Sequence, residues 1–144
     1  MCAMDIDRIQ RIDHAMELQW PQKYYWKAIK SKNYYAYFAQ TNNQCVGSIM
    51  FRINNKELHI DKIVVTKRFQ RQGIGGKLLK NALHVGIIKN VDAAILSVAH
   101  SNYSAIDFYF KHGFNIKFIQ WQYYSNQDHG LKMYRNIQTV TMNK

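Results

Sequence analysis

The stretch Gln70-Arg71-Gln72-Gly73-Ile74-Gly75-Gly76-Lys77 follows an apolar run, Ile63-Val64-Val65, and leads into an amphipathic helical pattern. Glycine accepts positive φ and lets a ligand come close to the backbone. Successive N–H groups at a helix N-terminus, aided by the helix dipole, make an anion site. Arg71 and Lys77 add positive charge. Such a loop suits the grip of a pyrophosphate, although a strand-to-helix turn with no ligand has the same composition. Two nucleotide patterns are excluded. The dinucleotide fingerprint G-x-G-x-x-G lacks its third glycine, and the P-loop fails because Gly76-Lys77 is followed by Leu78 rather than Ser or Thr.

The rest of the chain must position that loop. Its 144 residues are 47% hydrophobic, which is one domain with enough apolar material for a core. The net charge of +11 comes from 20 Lys and Arg against 9 Asp and Glu. A field of that sign attracts nucleotide phosphates, nucleic acid or anionic lipid, and charge alone does not choose among them. Two cysteines, Cys2 and Cys45, make no disulfide framework. The N-terminal "MCAMDIDRIQ" has no apolar signal core, and no apolar run approaches the roughly 20 residues of a membrane span. A cytoplasmic protein without a membrane partner or a metal is expected.

Asp5 is placed to cap a helix with Ile6, Ile9, Ile12 and Met16 on one face, ended by Pro21. A second short helix is expected from Gln22 to Lys30. The period then changes to that of strands: Tyr34–Gln40, Cys45–Ile53 and Glu57–Thr66, separated by hairpin-length turns. After the glycine loop a helix is predicted from about Gly73 to Lys89, with Ile74, Leu78, Ala82, Leu83 and Val85 as its buried stripe. Ala93–Val98 is apolar nearly throughout, as in a strand buried on both faces of a parallel β-α-β crossover. Asn102 starts a further helix, which Gly113 ends. Phe114–Trp121 and Leu131–Ile137 read as strands, and 138–144 as a tail. The fold class is therefore α/β, a single domain with a mixed central sheet: an antiparallel meander plus a parallel crossover, with helices on both faces.

Gln70-x-x-Gly73-x-Gly75 after "IVV" resembles the pyrophosphate signature of the GCN5-related N-acetyltransferases (GNAT). "SNYSAIDFYFKHGF" (Ser101–Phe114) resembles that superfamily's second signature, an Asn before a helix that ends Tyr-x-Lys-x-Gly-Phe. Tyr123, Tyr124, Asp128, Met133 and Arg135 are similar to its C-terminal strands. The likeness spans about residues 5–137. Within the superfamily the pattern is most similar to the bacterial ribosomal-protein alanine N-acetyltransferases.

The resemblance implies acetyl transfer from acetyl-CoA to an amine by direct attack on the thioester. The acceptor would be a protein N-terminus, a lysine or a small molecule. It implies that a splayed, bulged strand at Ile63, Val64 and Val65 meets pantetheine and the acetyl oxygen. Gln70, Arg71, Gln72, Gly73, Ile74, Gly75, Gly76 and Lys77 would hold the pyrophosphate. Asn102 would hold pantetheine, or simply cap its helix. Lys111 would face the ribose phosphate, or solvent. Tyr109 would protonate the departing thiolate, and a core aromatic is the other reading.

The general base departs from the pattern. Ser97 stands where the ribosomal-protein enzymes carry Glu, and Ala99 where they carry Arg. Other members carry Glu earlier, at the place of His59. Asp61 follows two residues on, on the same face of a regular strand. His59 has the better intrinsic pKa for a base near neutrality. Asp61, a water chain and a surface role for His59 stay open. The superfamily's first strand is also missing, since only Met1–Met4 precede the first helical pattern. That leaves a short sheet edge or a homodimer contact. A CoA-binding module without catalysis is a further reading. Nucleic acid is not expected as a partner, because no RRM, KH or helix-turn-helix pattern occurs.

Overall fold

A computed structural model describes residues 33–41, 44–123 and 129–137. The helices expected at 5–16 and 22–30, the residues Tyr124 and Asp128, and the tail lie outside these. Six strands form one sheet in the order β1-β2-β3-β4-β6-β5. They are β1 Tyr34–Thr41, β2 Gln44–Asn54, β3 Glu57–Val65, β4 Ala93–Ala99, β5 Asn115–Gln120 and β6 Gly130–Asn136. Helix α1, Ile74–Ile88, joins β3 to β4, and α2, Tyr103–Lys111, joins β4 to β5. The meander β1-β2-β3 is antiparallel and the β3–β4 pair is parallel. Strand β6 runs antiparallel to both of its neighbours, so β5 runs parallel to β4. Two successive crossovers of one hand and one direction put α1 and α2 on the same face of the sheet.

That face carries the core. Ile49, Phe51, Leu58 and Ile60 from the meander meet Leu78, Leu79, Ala82 and Leu83 of α1, then Leu96, Val98, Ile106, Tyr109, Phe114 and Met133. Each large side chain fully removed from water contributes about 1.5–3 kcal/mol. Leu79 and Gly86 are buried on α1, whereas Ile74 and Val85, expected within the stripe, are half-buried. Gly86 lets α1 close on the sheet. A Cβ there would stand 2.9 Å from Val91 Cγ2 and 3.1 Å from Leu58 Cδ1.

The β2–β3 register holds Arg52 opposite His59 and Phe51 opposite Ile60, then resumes with Met50 opposite Lys62. Asp61 is the extra residue of a β-bulge. It reverses the alternation of side chains along β3. Leu58 and Ile60 face α1 before it, Ile63 and Val65 after it. His59, Asp61, Lys62 and Val64 face the other way, as their partners Arg52, Met50 and Ser48 on β2 do. The bulge thus lies at Asp61, not within Ile63-Val64-Val65 as expected. Among the described residues no helix is long and apolar enough to cross a membrane.

Candidate active site

The parallel pairing of β3 with β4 runs from Glu57–Ala93 to Ile60–Leu96 and stops there, one residue before the bulge. Beyond it β4 continues against β6 as far as Ala99. Residues 61–65 therefore part from 97–99, and the sheet opens into a wedge. Ile63, Val64 and Val65 form one wall, so the splay expected of them is present, two residues beyond the bulge at Asp61.

At the end of that wall the chain turns through a short 3-10 helix, Lys67–Phe69, into the glycine loop. Gln70 is extended, Arg71 is left-handed at φ 65° and Gly73 is left-handed at φ 83°. Gly73 is the N-cap and α1 begins at Ile74, one residue later than predicted. The first helical bond runs from Lys77 N to Gly73 O, 3.1 Å. The N–H groups of Ile74, Gly75 and Gly76 therefore have no partner within the helix, the donor set an anion needs. Arg71, Gln72 and Lys77 are exposed around it. Gln70 turns back, and its Nε2 donates to Val65 O at 3.0 Å, which ties the loop to the wedge wall.

Helix α2 packs on the first turn of α1. A Cβ on Gly75 would meet the Phe108 ring at 3.5 Å, and one on Gly76 would meet His112 Cε1 at 3.1 Å. His112 was not anticipated from the sequence. Burial holds its pKa below the ordinary histidine value, and the cations Lys80, Arg135 and Lys111 push the same way. Asn102 caps α2, its Oδ1 accepting from Ala105 N at 3.2 Å. Tyr109 is 7% exposed and packs edge-on against Phe108 and Phe114. Lys111, the last residue of α2, is exposed.

The opposite face carries the polar groups beside the wedge, among buried apolar residues such as Met50 and Val64. His59 Nε2 lies 3.3 Å from Glu57 Oε1, and Arg52 Nε donates to Asp61 Oδ1 at 3.3 Å. Burial is the main cause that lowers the His59 pKa, with Arg52 and Lys132 adding to it against Glu57 and Asp61. Burial raises the Asp61 pKa, opposed by Arg52. Lys132 stands opposite Ser97 on β6, its pKa lowered by burial and then by Arg52. The Ser97 hydroxyl donates to Gln120 Oε1 at 3.0 Å. The structure therefore brings His59 and Asp61 to one face and Tyr109 to the other, with the wedge between. Arg52 and Lys132 were missed. Arg52 was within reach, since a hairpin closing at Asn54–Glu57 places it opposite His59. Lys132 arrives from a distant strand and left no local signal.

The Acetyltransferase (GNAT) family profile matches residues 5–114. The chain belongs to the GNAT acetyltransferases. N-alpha-acetyltransferase 50 of Danio rerio is 31% identical over 129 residues, covering 83% of this chain and 74% of the relative. The ribosomal-protein-S18-alanine N-acetyltransferase of Escherichia coli shares the fold at a TM-score of 0.88 and 22% identity, over 100% of this chain and 95% of that one. A Bacillus anthracis enzyme assigned to streptothricin, solved with acetyl coenzyme A, superposes at 0.72 with 26% identity, over 78% of this chain and 67% of that one.

Proposed function

We propose that this acetyltransferase moves the acetyl group of acetyl-CoA onto a primary amine by direct attack. The carrying observation is the end of the β3–β4 ladder at Ile60–Leu96, beside a glycine loop that presents helix N–H groups. The loop residues Gln70–Lys77 hold the pyrophosphate. Pantetheine lies along Ile63, Val64 and Val65, met from the other side by the Asn102 amide, whose oxygen is committed to the helix cap. Lys111 faces the ribose phosphate. A backbone N–H of the β3 wall stabilises the oxyanion that forms as the amine attacks the carbonyl carbon.

The amine enters from the polar face and gives its proton to His59, directly or through one water. Glu57 beside Nε2 favours the tautomer with the proton there and leaves Nδ1 to accept. Asp61, already held by Arg52, is the less available base. The C–S bond breaks and Tyr109 protonates the thiolate, giving CoA and an acetylamide. The acceptor is a protein N-terminus or a lysine side chain. The similarity to an enzyme assigned to streptothricin supports a small-molecule amine as the second reading.

Thiol release from acetyl-CoA tests the proposal, with N-terminal peptides, lysine peptides, polyamines, aminoglycosides and amino acids as acceptors. Acceptor-dependent release is expected with at least one class. Tight CoA binding with no release in any class would make the chain a CoA-binding module.

A further inference from the structure

We infer that Arg52 is a positioning residue: through its ion pair with Asp61 it holds the β3 bulge, and so aims the strand edge at the pantetheine arm. The inference rests on the reading of the wedge as the acetyl-CoA site, and its core is geometric. A bulge leaves one residue without a cross-strand partner, and here that residue is Asp61. Its side chain, 17% exposed, is gripped by the strand that the bulge has slipped against. Arg52 sits opposite His59, two residues before the slip, and reaches forward across it. The parallel ladder to β4 ends in the same place. One side chain thus ties the residue at which β3 changes its facing and leaves its neighbour.

The pair is poorly suited to being a plain stabiliser. Burial raises the Asp61 pKa even with Arg52 beside it. A carboxyl group whose folded pKa is raised stabilises the fold only at low pH, and that stability is lost as pH rises through the folded value. At neutral pH the charge is kept at a cost, and a partly buried ion pair is weak evidence for stability in general. A geometric role accounts for its place at the slip.

The test separates the two halves of the cofactor. 3′-Phosphoadenosine 5′-diphosphate is coenzyme A cut at the pantetheine, so it engages the glycine loop and not the β3 edge. Calorimetric titration of Arg52→Met and Asp61→Ala should show CoA bound about tenfold more weakly, the effect of one misplaced hydrogen bond. Affinity for the nucleotide half should stay at the wild-type value. The double variant should be no worse than either single, and Arg52→Lys should recover part of the loss. Wild-type CoA affinity in both single variants would overturn the inference. So would an equal loss for both ligands, because the pair would then hold the whole domain. Failure of the wild-type protein to bind CoA would instead sink the cofactor reading itself, and with it the premise.

Discussion

Gly73→Ala puts a Cβ on a residue held at φ 83°. Nothing lies within 4 Å of that Cβ, so the substitution is purely conformational. A left-handed alanine costs roughly 1–2 kcal/mol, and asparagine tolerates the conformation better. That energy has two places to go. If the loop keeps its shape, the apo protein loses it as stability, about 2–4 °C of melting temperature per kcal/mol in a chain of this length. If the loop relaxes, CoA must restore it on binding and affinity falls by about 5–30-fold. Thermal melting of the apo protein and calorimetric titration with CoA together capture the sum. The expected order is wild type, then Gly73→Asn, then Gly73→Ala. An alanine variant unchanged in both assays, or better than the asparagine variant, would show that the cradle does not depend on a left-handed N-cap.

Gly86→Ala should destabilise the fold by about 1–3 kcal/mol in urea unfolding, because its Cβ meets Val91 and Leu58 within a packed core. Tyr109→Phe keeps the ring contacts with Phe108 and Phe114 and should lower kcat by about 10²–10⁴ with little change in KM, read under conditions where chemistry limits turnover. With His59 as the proposed base, the neutral imidazole would be its working form; its pKa is lowered, so activity should fall only as pH drops below the ordinary histidine range near 6.5, and His59→Gln should remove that limb from the pH–rate profile. CoA at a hundred times its dissociation constant should stabilise the protein by about 2.7 kcal/mol in thermal shift, and no shift at millimolar CoA would refute the cofactor assignment.

Much of this was legible because it is local. Alternation gave β1 to β3, the turn residues gave their order, and the glycines marked the start of α1 to within one residue. Asn102 and Tyr109 fall where their helix places them, at its cap and on its buried side. What the chain did not reveal was register. The slip at Asp61 is a property of two strands together, and nothing in Asp61 or its neighbours announces an unpaired position. The same holds for Lys132, brought beside Ser97 by a strand 35 positions away in sequence. His112 was read as part of a helix-ending pattern, while its contact with Gly76 depends on how two helices lie together.

That helix contact has a consequence for measurement. Phe108 beside Gly75 and His112 beside Gly76 bring the helix bearing Tyr109 against the first turn of α1, the turn proposed to receive the phosphates. On the proposed reading, the span from phosphate grip to proton donor would be set by the side chains packed between these two helices, like the jaws of a caliper held at one opening. An arm of pantetheine length would then deliver its sulfur to the phenol, and a shorter or longer thiol carrier with the same nucleotide would be held as firmly yet react poorly. Discrimination among thioesters would then reside in the fit of two helices, and no loop would have to close over the substrate to achieve it.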